Sequence, residues 1–303
     1  MSEKFPIRHM SNLLGVPPST LRTWEHRYKL FASIDRSAKG QRQYSANDLA
    51  FALRLKNYLD EGLGIRDAIL KLRCLGFDFE TSGQSVKKWQ QQKNAALLAI
   101  QDFDQVSLDR IFHNLLNNYD EDLVMLKMIV PIFDILGKNW DKNPAGIAEE
   151  CFACVYFYNK LGSIYNYRIK PVEGNRLITC CLPGERHEIG LLIFCLTLIS
   201  QGFQPLYLGS NFPISQYLET VQKTDSKAMV LSGRTDNIRK DQNMIEKLMN
   251  FTSVSPVPTF FGGPEPIEKT EFLKNIKLIP IGNDFQKAIC IMGKYLSNDR
   301  SIK

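Results

Sequence analysis

The sequence predicts a multidomain chain, helical in its first half and α/β in its second, on three observations. Helical apolar spacing broken by a glycine and a proline pair opens the chain. From Val86 to Ile169 apolar residues recur only at three and four, and from Asn175 short apolar runs alternate with helical patterns. The expected organisation is a small head over residues 1–80, a helical bundle over 86–170 and an α/β domain over 174–303.

In the head, Ile7, Met10, Leu13 and Leu14 recur at helical spacing up to Gly15, which suits a tight turn. Pro17 and Pro18 fit only before or within the first turn of a following helix. On that second helix Leu21, Trp24 and Tyr28 share one side, and Ser19, Arg22 and His26 another. Two short helices joined by a glycine turn form a helix-turn-helix, whose second helix enters the DNA major groove. Arg42 and Tyr44 are expected on a following wing, with Arg36 and Lys39 in the loop leading to it. The simpler reading is a helical hairpin with a solvated basic face.

The particular residues go beyond that pattern. Leu14-Gly15-Val16, Thr20-Leu21-Arg22, Trp24-Glu25-His26-Arg27-Tyr28 and Gly40-x-Arg42-x-Tyr44-Ser45 resemble the winged DNA-binding domain of MerR-family transcription regulators, over roughly Phe5 to Arg73. The string departs at Lys29, where glycine is usual, and at His26, often arginine. The resemblance implies a DNA-reading face made of Ser19, Thr20, Arg22, Thr23, His26, Arg27, Tyr28, Arg36, Arg42 and Tyr44, with double-stranded operator DNA as partner.

Charge agrees with that placement. Of the net +6, residues 1–73 carry all of it, with 13 Lys and Arg against 7 Asp and Glu, and the remainder balances. Phosphate neutralisation needs such a local excess. The seven cysteines, odd in number, mostly in apolar stretches and with no secretory signal, imply reduced thiols in a cytoplasmic protein. Cys151 and Cys154 form a lone C-x-x-C without a second pair or a nearby histidine, so buried thiols are expected there rather than zinc. No apolar run reaches membrane-spanning length, and Ile189 to Ile199 reads as a core helix.

After the wing, Ser45 and Asp48 have capping-box spacing ahead of a helix carrying Leu49, Leu53 and Leu55 and ending at Gly62. A further short helix brings Ile69 and Leu72 to the head's core, and the run 81–85 reads as a linker. The three-and-four spacing beyond it fits a four-helix bundle, with Pro131 kinking one helix. In the second half, strands are expected at Arg176–Leu182, Gln204–Leu208, Ala228–Leu231, Pro258–Phe261 and Lys277–Pro280. Alternation with helices argues a parallel sheet covered on both faces, with ligand chemistry in the loops after its strands.

The first of those loops contains Glu185-x-His187-x-x-Gly190, the third begins at Ser232, and the fourth holds Gly262-Gly263. Between Gly190 and Ser232 lie 41 residues, and between Arg234 and Gly262 lie 27. Motif and spacing resemble those of Rossmann-like (flavodoxin-like) corrinoid-binding domains, with Arg234 standing where a smaller or apolar residue is usual. The resemblance implies cobalamin, as adenosylcobalamin or methylcobalamin, with His187 as the cobalt ligand and Glu185 behind it. Gly190 would admit the nucleotide tail, Ser232 would hydrogen-bond the displaced base, and Gly262-Gly263 would permit close backbone approach. Head, bundle and α/β domain in that order, with Trp140 ten residues before Glu150, resemble cobalamin-dependent photoreceptor repressors of the CarH/LitR type. Trp140 and Glu150 would then face the ligand from the bundle, although Trp140 also fits as a bundle-core aromatic. Where light-sensing members carry histidines, this chain has Asp141 and Cys151, so a light response through a second histidine is not expected.

The resulting expectation is a non-enzymatic DNA-binding regulator, a repressor, whose second half binds cobalamin and controls homo-oligomer formation on operator DNA. One alternative keeps the repressor and makes the α/β domain a docking surface for an antirepressor protein. A corrinoid methyl carrier or mutase fragment is the enzyme alternative, and the Trp24-to-Tyr28 string has no role in either reaction.

Overall fold

The computed structural model describes residues 4–28, 30–31, 35–36, 40–60, 62–65, 68–69, 72, 83–119, 121–139, 144–169, 176–186, 188–265 and 267–296. These fall into two units, residues 1–91 and 92–303.

In the first unit a short strand β1 (Lys4–Pro6) leads into α1 (Ile7–Leu14). Gly15, at φ 64, ends α1 in the left-handed conformation, and Ser11 Oγ donates to the Val16 carbonyl. Helix α2 (Pro18–Tyr28) follows. Strands β2 (Asp35–Arg36) and β3 (Arg42–Ser45) form the wing, and β3 is central because β1 pairs along its other edge, Phe5 opposite Tyr44. The sequence reading had not anticipated β1, whose three residues end in a proline and show no period. Helix α3 (Ala46–Asp60) starts on a formed capping box: Ser45 N and Oγ each donate to Asp48 Oδ2 at 2.7 Å, and Asp48 N donates to Ser45 Oγ. Its inner face is Phe51, Ala52 and Leu55, whereas Leu53 points outward. With Met10, Leu14, Leu21, Tyr44, Ile69 and Leu72 they make one small core.

Helix α4 (Gly83–Gln101) begins inside the run expected as a linker, since Gly83 stands only at its end and Gln84 and Ser85 carry no helix-breaking geometry. The boundary between the units falls within this helix, at 91/92. Helices α5 (Gln105–Asn118), α6 (Glu121–Val124), α7 (Val130–Leu136) and α8 (Gly146–Arg168) complete the helical part. Phe112, Phe133, Tyr156 and Phe157 meet edge-on within it. Pro131 does not kink a regular helix as expected. A π-turn (Met125–Ile129) lies just ahead of it, and Val130 N–H donates to Met125 O. The wider turn supplies the room that a proline ring needs in a continuous helix.

The sheet contains β4 (Arg176–Cys181), β5 (Gln204–Tyr207), β6 (Ala228–Ser232), β7 (Thr259–Gly262) and β8 (Ile279–Gly282), all parallel, in the order β5-β4-β6-β7-β8. This is the flavodoxin-like order, with its switch point between β4 and β6. On one face Ile178, Cys180, Met229 and Leu231 pack against α10 (Tyr217–Thr224), α11 (Thr235–Arg239) and α12 (Gln242–Val254). On the other lie α9 (Ile189–Ser200) and α13 (Phe285–Leu296), joined by Phe194 and Phe285. Helix α9 is buried along nearly its whole length because α8 runs against it. Arg168 ties the end of α8 to Glu121, Asp122 and Ser200, and Tyr165 Oη donates to the Pro205 carbonyl.

No helix among the described residues is long and apolar enough to cross a membrane. Cys151, Cys154, Cys180, Cys181 and Cys195 are free thiols. Cys290 is disulfide-bonded, a departure from the expectation of thiols throughout, since a count over the whole chain does not decide an individual pair.

Candidate functional site

Two places gather the residues singled out from sequence, one in each unit. On the head, α2 turns Ser19, Arg22, Thr23, His26 and Arg27 outward, all exposed, while Leu21 and Glu25 face in. Thr20 and Tyr28 are half-buried, and Arg27 lies over the Tyr28 ring at 5.5 Å. Arg36 pairs with Arg42 in the wing register, and its side chain, like Lys39, lies outside the described residues.

Tyr44 corrects the sequence reading. It is completely buried, edge-on to Phe31, and its hydroxyl donates to Glu25 Oε1 in the core, so it holds the wing rather than touching a partner. Arg42, two residues earlier, shares its face of β3. Its Nε reaches Glu25 Oε2 at 3.2 Å while a third of the side chain stays in solvent. Glu25 thus fastens the outward helix to the wing from beneath. Burial raises its carboxyl pKa, against the opposing pull of the Tyr44 hydrogen bond and the Arg42 charge.

In the second unit a cavity of about 520 Å³, a usual size for a small-molecule site, opens at the carboxyl ends of β4, β6, β7 and β8. It lies at the switch point and runs between the sheet, α9 and α13 toward the helical bundle. Glu150, Glu185, Gly190, Ser232, Gly262 and Gly263 all line it, so residues from four separate stretches of sequence meet on one surface. His187 and Trp140 lie outside the described residues, as does Asp141. Cys151 is exposed and off this lining, so it does not face the cavity from the bundle. Cys154 does, one helical turn from Glu150, with its thiol pushed up to about 12, first by burial and then by the Glu150 charge. The expectation of two buried thiols therefore holds for neither cysteine fully: Cys151 is exposed and Cys154 half-buried, because the edge of the buried face of α8 falls between these near neighbours.

The glycines play different parts. A Cβ on Gly263 would lie 2.0 Å from the Gly233 carbonyl oxygen, and one on Gly233 would lie 2.9 Å from Leu182 Cδ1. There the strand ends are pressed together, with Gly233 N donating to Gly262 O and Gly263 N to Gly282 O. A Cβ on Gly190 would meet nothing within 4 Å, so its missing side chain leaves cavity space open. Ser232 adds a hydroxyl with no partner among the described residues. The loop after β4 is pinned by Gly184 N donating to Asn211 Oδ1 at 2.9 Å and by Tyr207 Oη donating to Glu188 Oε2. An apolar slot with a bare glycine and one free hydroxyl fits a long ligand with an aromatic, hydrogen-bonding tail. Sequence reading missed Val130, Phe133, Asp134 and Gly137, which line the same cavity from α7. Their spacing of three, four and seven was the available signal.

Residues 5–73 match the family described as MerR HTH family regulatory protein. The head is thus similar to MerR-type helix-turn-helix domains over that stretch. Among curated proteins the chain is 26% identical over 225 residues to the HTH-type transcriptional repressor CarH of Myxococcus xanthus, spanning 70% of the chain and 73% of the relative. It is 23% identical to the transcriptional repressor CarA of the same organism, over 68% of each. Among solved structures, the monomethylamine corrinoid protein of Methanosarcina barkeri shares the fold at a TM-score of 0.54 and 17% identity, covering 68% of this chain and 98% of that one.

Proposed function

We propose that this chain is a MerR-type DNA-binding regulator, a transcriptional repressor whose second unit binds a corrinoid, cobalamin, and through it governs occupancy of operator DNA. The observation that carries the reading is the single cavity surface at the switch point that unites Glu150, Glu185, Gly190, Ser232, Gly262 and Gly263. The likeness of about two thirds of the chain to named repressors supports the output.

On the head, Arg22, His26 and Arg27 meet bases or phosphates from the major groove, Ser19 and Thr23 donate to the backbone, and Arg42 braces from the wing. Glu25 and Tyr44 hold the angle between helix and wing. In the second unit Gly190 leaves the tail its path and Ser232 offers it a hydrogen bond. His187 would supply the imidazole for the metal, and Glu185 would serve as partner to its other nitrogen. When bound, the corrin would supply a cobalt centre with an exchangeable ligand. Glu150 and Cys154 line the cavity from α8, and a protonated thiol would be a poor ligand. Control by ligand supply and self-association follows, rather than a light-driven second histidine. Several heads held together on repeated operator elements gain avidity without new contacts.

The test is to incubate the full chain in darkness with adenosylcobalamin, methylcobalamin or hydroxocobalamin, pass it through gel filtration, and record absorbance, size and operator binding. The expected result is a retained corrinoid spectrum with a change in size or operator affinity. Operator binding with no retained corrinoid would sink the cofactor half and turn the second unit into a docking surface for an antirepressor protein.

A further inference from the structure

Arg234 follows Ser232 and Gly233 at the end of β6, on the wall of the cavity and beside its glycine-lined strand ends. It is exposed, and its guanidinium has no hydrogen bond or ion pair among the described residues. The acids that share the cavity do not use it: Asp134 and Glu150 come from the bundle, and Glu185 from the loop after β4. Nor is it held as its neighbour is, for Arg239 lies 4.3 Å above the Phe272 ring. The cavity otherwise presents chiefly aliphatic and aromatic side chains to its occupant. An anion entering such surroundings loses water and must be compensated, and a guanidinium does this with paired donors matched to a phosphate.

We propose that Arg234 makes this cavity selective for ligands bearing an anionic group. In the corrinoid reading above, on which this rests, that group is the phosphodiester of the nucleotide tail. The residue thus sets specificity for a complete, tailed corrinoid over a tail-less one.

The experiment titrates the full chain, followed by absorbance and equilibrium dialysis, with cobalamin and with cobinamide, which lacks the nucleotide tail. Wild type, Arg234→Ala and Arg234→Lys are compared at low and high salt. Arg234→Ala should weaken cobalamin about tenfold or more while leaving cobinamide within about twofold, as expected for loss of one charge-assisted contact. Arg234→Lys should fall between, since it keeps the charge and loses the fork. Salt should weaken cobalamin binding to wild type and have less effect on the alanine variant. Unchanged cobalamin affinity in Arg234→Ala, or equal weakening of both probes, overturns the assignment while the corrinoid reading stands. Failure of wild type to bind either probe overturns both.

Discussion

The head and the cavity-bearing unit store their chemistry in opposite ways. On the head, Ser19, Arg22, Thr23, His26 and Arg27 stand outward on α2, and the fold behind them only sets their angle. In the second unit the site is made largely of what is absent: side chains missing at Gly190, Gly233, Gly262 and Gly263. A surface of the first kind loses contacts one at a time. A site of the second kind fails by being filled or pushed apart.

The sharpest way to break that comparison lies in two glycines of one cavity. Gly263→Ala sets a Cβ against the Gly233 carbonyl, backbone on backbone, and should destabilise the second unit by about 3 kcal/mol. Gly190→Leu enters open space on a helix and should not lower stability to urea while abolishing corrinoid retention. If the two variants behave alike in unfolding, the division into structural and ligand-admitting glycines is wrong.

The head offers the next test. Arg22→Ala should cost on the order of 1–3 kcal/mol of operator affinity with no change in melting. Tyr44→Phe should do the reverse, lowering stability by about 1–2 kcal/mol because buried Glu25 loses a donor. The sign with pH follows from Glu25. Its pKa is raised in the fold, so its contribution is fully present below its unfolded value and is lost as pH rises through the folded one. The Tyr44 hydrogen bond lowers that pKa, so removing it should steepen the loss. Melting curves for both variants across acidic to neutral pH, set beside operator titrations, decide it.

The smallest effect concerns the bundle. Cys151 is exposed and should react with iodoacetamide quickly at pH 8, whereas Cys154, its thiol pushed up to about 12 by burial, should react slowly. Mass spectrometry of timed samples should show that order, and bound corrinoid should protect Cys154 alone. Equal rates would place Cys154 outside the cavity.

These outcomes also mark how far the sequence could be read. Ser45 and Asp48 were legible because a capping box closes within one turn. The parallel sheet was legible because its strands are short apolar runs between helices, and the switch-point loops followed from that order. Tyr44 was misplaced because an Arg-x-Tyr strand reads the same whether its face turns inward or outward, and only Glu25 beneath it decides. Cys151 and Cys154 were misjudged for the same reason, the phase of α8 being set by packing against α9. Strand β1 escaped because its pairing partner lies some forty residues away and its own three residues carry no pattern.

The wide turn at Met125–Ile129 has a consequence for inheritance. A π-turn holds one residue more than a regular helix needs, while the segments on either side keep their alignment. Val130, Phe133, Asp134 and Gly137 therefore owe their direction to the neighbours they pack on, not to the number of residues before them. A single deletion within 125–129 would let the helix rewind as an ordinary one with the same four residues on the cavity. Lineages of this chain can differ in length at that point and still present the same wall.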